Sequence, residues 1–188
     1  MSENIILKAA QMAYQAHKGQ LRKYNGSPYI EHPMRVAGRV SLSDGVPERV
    51  VAAAWLHDVR EDCVDYWESH KNELPPEVIE LVDWLTNTSK SGEFANLNRA
   101  ARKELDRAKL SKAPYWVKII KLFDRIDNLM EMSPKDSGFA RLYCEESEAL
   151  VRAISSNDPG DDIIAMCVVV AGYIQKLKDQ ISVENDKE

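Results

Sequence analysis

Helical periodicity of apolar residues recurs through almost the whole chain, and it excludes most sheet-based folds before any single residue is considered. Residues 4–18 put Ile6, Ala9, Ala10, Ala13 and Ala16 on one face. A helix resumes at about Pro33 with Val36 and Val40. The next begins at Pro47, where proline suits a first turn, and runs to about Glu61. Pro75-Pro76 opens a helix with Val78, Ile79, Val82 and Leu85 on its apolar side. Residues 96–111 read as a weakly amphipathic, solvated outer helix, 114–132 as a strong one with Val117, Ile120, Phe123 and 126–130, and 139–155 as another. The last helix is apolar nearly all round across 163–171, which predicts a buried central or partner-facing position.

The connectors carry turn chemistry: Asn25-Gly26 and Ser27-Pro28 within 18–33, "SLSDGVP" at 41–47, the polar "TNTSKSGE" at 86–93, and Asp158-Pro159-Gly160 before a cap at Asp161 or Asp162. With only eight glycines and few alternating β-branched runs, the expected fold is all-α, a helical bundle in one domain over 1–180, with a charged tail at 181–188. A net charge of −5 argues against a general nucleic-acid binder. The longest apolar run, 163–174, has 12 residues and is too short to span a bilayer. Cys63, Cys144 and Cys167 are odd in number and lack CxxC spacing, so they read as free thiols of a reducing compartment. No signal-peptide pattern opens the chain, and a cytoplasmic enzyme or binding protein is expected.

The apolar run "VVAAAWL" leads straight into "HDVREDC". Charged groups rarely enter a core unpaired, so these need an explanation. On a continuous helix His57 and Glu61 are neighbours one turn apart, as are Asp58 and Asp62. Taken alone, His57-Asp58 fits either a hydrogen-bonded helix surface or two ligands of a divalent metal. Other ligand types stand in His32, before a helix-starting proline, and Asp124, inside "KLFDRIDN".

The order H…HD…D, with "AHKGQLRKYNGSPYIEHP" (16–33), "AAAWLHDVRED" (52–62) and "KIIKLFDRIDNL" (118–129), resembles the HD phosphohydrolase superfamily, and within it the hydrolase domain of the RelA/SpoT family and its small stand-alone members. The resemblance covers roughly residues 1–150. It implies an HD-domain helical bundle and a Mn²⁺-dependent hydrolase that removes the 3′-pyrophosphate of the alarmones ppGpp and pppGpp. Carried over by position, it makes His32, His57, Asp58 and Asp124 metal ligands and leaves coordination positions for water and a phosphate oxygen. Glu61 and Asp62 match the family's water-activating pair. Arg22 and Lys23 match basic residues facing the phosphates, and Asn128, one turn from Asp124, matches a nucleotide-contacting asparagine. Tyr143 matches a tyrosine near the nucleoside. Lys121 and Arg125 flank Asp124 on different faces, so at most one is expected at the site. The chain departs from the family at Phe123, at Asp127, at Cys63 with "VDYWESH", and between 86 and 112. The expected partner is a small nucleotide, with neither nucleic acid nor membrane, and an oligomer is compatible. The alternatives are a related HD phosphohydrolase acting on a nucleoside monophosphate or the 2′-phosphate of NADPH, and a non-catalytic nucleotide-binding module.

Overall fold

The computed structural model describes residues 4–87, 94, 96–156 and 160–185. Among them every regular element is helical, and the one isolated β-bridge joins Leu21 to Pro28. The all-α expectation holds. The chain divides into two compact units, Met1–Ala95 and Asn96–Glu188.

The first unit is built round a helix that its sequence makes narrow. Helix α1 (Ile5–Ala16) starts where the Asn4 side chain accepts from the Ile6 and Leu7 amides, and it buries Ala9, Met12 and Ala13. Helix α2 (Glu31–Ser41) buries His32, Pro33, Val36, Ala37 and Val40. Helix α3 (Glu48–Leu56) buries Val50, Val51, Ala52, Ala53, Ala54 and Leu56, and it packs against α1, α2 and α6 (Pro76–Leu85). The three consecutive alanines let neighbours approach from several sides. The opening of α6 at Pro76 and its buried Val78, Val82 and Leu85 follow the expected pattern, although Ile79 is only half-buried.

The helix expected to run from Pro47 to Glu61 does not. It stops at Leu56, and α4 (Val59–Asp62) starts afresh with Asp58 as its N-cap residue. The physical reason is local: His57 Nδ1 donates to the Ala54 carbonyl at 2.8 Å. That carbonyl is the acceptor the Asp58 amide would use in a continuous helix. The Asp58 carbonyl instead accepts from the Glu61 and Asp62 amides and begins the next turn. Beyond it, α5 (Val64–His70) was not legible as a helix in "VDYWESH"; Trp67, 1% exposed, pins it to the core.

In the second unit, Asn98 caps α7 (Arg99–Ser111), which buries only Asp106 and Leu110, as an outer helix should. Helix α8 (Tyr115–Glu131) buries residues round most of its girth. Its core side includes Ile119 and Leu122, whereas Phe123 is half-buried and Met130 is exposed, a correction to the predicted face. Helix α9 (Ser137–Ile154) packs against α7 and α10 (Asp161–Asn185).

Helix α10 corrects a second expectation. Only the line Ile163, Cys167, Val170, Ile174, Leu177 and Ile181 is buried, at three-and-four spacing. Ile164, Val168 and Val169 on other sides are 48%, 67% and 46% exposed, so the helix is not buried all round. Its last turns run through Asn185, past the expected tail boundary at 181, because Ile181 still packs. Gly160 has φ +76° just before α10, in the left-handed region that glycine tolerates. The rest of the expected break, Asp158-Pro159, and the polar segment beyond Asn87 up to 93 lie outside the described residues. No helix among the described residues is long and apolar enough to cross a membrane.

Candidate metal and phosphate site

Helices α2 and α3 place His32 and His57 with their Nε2 atoms 3.2 Å apart, both rings buried. Asp58 Oδ2 lies 3.5 Å from His32 Nε2 and 3.2 Å from His57 Nε2. A carbonyl can only accept, so the Ala54 contact puts the His57 proton on Nδ1 and leaves Nε2 of the neutral ring as a bare lone pair. Ligand atoms about 2.1 Å from one centre at right or tetrahedral angles lie roughly 3.0–3.4 Å apart. The spacings of the two nitrogens and the carboxylate oxygen are close to those a divalent metal needs, and the His57 tautomer suits it.

Tyr29, from the loop before α2, reaches the same group: its hydroxyl donates to Asp58 Oδ2 at 2.7 Å and lies 3.3 Å from Asp62 Oδ2. Burial, with the Asp58 and Asp62 carboxylates beside it, pushes the phenol far above its ordinary value. Glu61 turns elsewhere, its carboxylate held by Asn87 through the backbone amide and the side-chain amide, both at 3.1 Å. Arg22 lies over the Tyr29 ring at 5.3 Å, whereas Lys23 is exposed and lies over Tyr24 at 4.9 Å. Behind Tyr29, His17 stacks on its ring at 4.6 Å and bonds Gln20, and Gln20 donates to Cys63 Sγ. Burial pushes the Cys63 thiol up.

In the second unit Asp124 is buried on α8, with Asn128 Nδ2 donating to Oδ1 and Lys121 Nζ 2.6 Å from Oδ2. The one-turn relation of Asp124 and Asn128 is as expected, and of the two flanking cations Lys121 is the one on the carboxylate. Arg125 is buried, lies over the Tyr143 ring at 4.5 Å and donates to Ser147 Oγ at 3.3 Å. Burial, with Lys121 and Arg125 nearby, pulls the Lys103 ammonium below its ordinary value, and burial raises the Tyr143 phenol. Sequence reading missed Tyr29 and Asn87 as site residues. Tyr29 stands one turn before His32 in "PYIEHP", a usable signal, but nothing near Asn87 pointed to Glu61.

In the first unit His32, His57 and Asp58 are residues that could hold a metal; in the second, Asp124 is a buried carboxylate of ligand type. Residues 9–150 match the family model described as HD domain, from within α1 into α9. The chain belongs to the HD-domain family. Among its HD-domain relatives, the guanosine-3′,5′-bis(diphosphate) 3′-pyrophosphohydrolase MESH1 of Xenopus tropicalis is 32% identical over 130 residues, 68% of this chain and 69% of that one. A GTP pyrophosphokinase of Myxococcus xanthus is 33% identical over 129 residues, 67% of this chain but 17% of its own length. This HD-domain chain therefore spans most of the short relative and a small part of the long one. A solved structure, titled as a metazoan ortholog of SpoT that hydrolyses ppGpp, is similar at TM-score 0.72 and 23% identity, covering 90% of this chain and 95% of that chain; the likeness is one of fold. The motif resemblance to RelA/SpoT hydrolase domains agrees with these relatives.

Proposed function

We propose that this protein is a metal-dependent hydrolase that removes the 3′-pyrophosphate of ppGpp or pppGpp, leaving GDP or GTP. The observation that carries the reading is the convergence of His32 Nε2, His57 Nε2 and Asp58 Oδ2, with Asp62 linked to Asp58 through the Tyr29 hydroxyl. The alarmone hydrolase among the relatives supports the choice of substrate. His32, His57, Asp58 and Asp124 would hold the ion, and two imidazoles with two carboxylates suit Mn²⁺. When bound, such an ion polarises a phosphoryl oxygen and acidifies a water.

The protein's own groups do the rest. Glu61, steadied by Asn87, takes a proton from the attacking water, and Asp62 supports it. The water oxygen bonds to the phosphorus attached to the ribose 3′ oxygen, that P–O bond breaks, and a proton ends on the 3′ hydroxyl. Arg22 and Lys23 receive the phosphates, while Asn128 and Tyr143 contact the nucleoside. In this reading residues 1–180 are one catalytic domain, the partner is a small nucleotide and the compartment is the cytoplasm.

A substrate panel tests it. Purified, metal-stripped protein reconstituted with Mn²⁺ should turn over ppGpp and pppGpp well above NADPH and nucleoside monophosphates. Robust NADPH or monophosphate turnover without alarmone turnover would refute the substrate assignment.

A further inference from the structure

We infer that Tyr29 is a positioning residue of the metal site: its hydroxyl holds Asp58 Oδ2 in ligating orientation and ties Asp58 to Asp62. The inference rests on the metal-dependent reading above. The atom that Tyr29 meets at 2.7 Å is the same Oδ2 that faces both imidazole nitrogens. A carboxylate oxygen has lone pairs for one metal bond and one hydrogen bond together, so the phenol fixes the carboxylate's rotation without taking its ligating capacity. A single hydroxyl proton cannot serve two acceptors equally, and the distances of 2.7 and 3.3 Å make Asp58 the main acceptor. Asp62 is held within reach of the same oxygen. Two carboxylates one turn apart repel, and the phenol between them relieves part of that.

The ring that delivers this hydroxyl is clamped. His17 stacks on it with planes 27° apart, the Arg22 guanidinium sits at 5.3 Å, and His32 meets its edge with centroids 6.0 Å apart. The Tyr29 amide donates to the Gln20 carbonyl at 2.9 Å, and the adjoining Leu21–Pro28 bridge closes the loop. The Tyr29 carbonyl accepts from the His32 amide at 3.0 Å, so hydroxyl and imidazole share one rigid turn. Hydrogen-bond partners of metal ligands typically contribute 10–100-fold in metal affinity or activity.

Tyr29→Phe keeps the ring and removes only the donor. The test measures Mn²⁺ affinity of the metal-stripped protein by competition with a chromogenic chelator, the melting temperature without metal, and kcat and KM at saturating Mn²⁺. The expected result is about 10-fold or greater weakening of Mn²⁺ binding, an unchanged melting temperature, and a lower kcat at unchanged KM. Wild-type Mn²⁺ affinity in the variant would overturn the inference. So would a loss of affinity that merely tracks a lower metal-free melting temperature. The metal measurement needs no turnover, so a wild-type protein inactive on alarmones would refute the proposed function while Tyr29 remained tested.

Discussion

Asn87 grips Glu61 at both ends of its carboxylate, with the backbone N–H on Oε2 and the side-chain Nδ2 on Oε1, each at 3.1 Å. Two donors on one carboxylate fix its plane and so the direction of its lone pairs. Asn87→Ala should lower kcat by about 10-fold with little change in KM. Steady-state kinetics on ppGpp check this, and a pure KM effect would move Asn87 to substrate binding.

The proposed ligand and base roles can be separated by experiment. Asp58→Ala and Asp124→Ala should lose Mn²⁺, whereas Glu61→Ala should retain it and still lose turnover by roughly 10²–10⁴-fold. Metal content after dialysis, measured beside activity, distinguishes the two classes. A Glu61→Ala protein that dialyses free of metal would contradict the division.

Trp67 carries α5 into the core at 1% exposure. Truncating a buried tryptophan costs about 3–5 kcal/mol, so Trp67→Ala should lower the denaturant midpoint strongly and with it the order of the segment that follows the Glu61-Asp62 pair. Urea unfolding followed by far-UV circular dichroism measures it.

Much of this was legible in the sequence because burial follows the helical period. The starts of α6 and α8 and the Asp124–Asn128 relation could be read from spacing alone. The break at His57-Asp58 could not, because it depends on one imidazole occupying the Ala54 carbonyl. Nor could the exposure of Val168 and Ile164, since composition says that a helix is apolar but not which face is covered. "VDYWESH" hid α5 because a single tryptophan, not a period, anchors it. Tyr29 and Asn87 are neutral polar residues whose importance lies entirely in what they reach: Asn87 is 26 positions from Glu61.

The thiols give a pH test. Burial raises Cys63, Cys144 and Cys167 above the ordinary thiol value. A raised folded-state value stabilises the protein below the unfolded pKa and ceases to do so as pH rises through the folded one. At pH about 8, near the ordinary thiol pKa, alkylation of the native protein should therefore be much slower than of the urea-unfolded chain. The gap should close as pH rises further. Equal rates at pH about 8 would contradict the burial of these thiols.

The central claim is that Mn²⁺ and this helical site together release an intact pyrophosphate from the 3′ position. Incubation of the Mn²⁺-loaded protein with ppGpp, followed by chromatographic identification of products, tests it directly. The account predicts GDP and pyrophosphate in equal amounts, with no product when Asp58→Ala replaces the wild type. Inorganic monophosphate as the sole phosphorus product, or turnover that persists in Asp58→Ala, would contradict it.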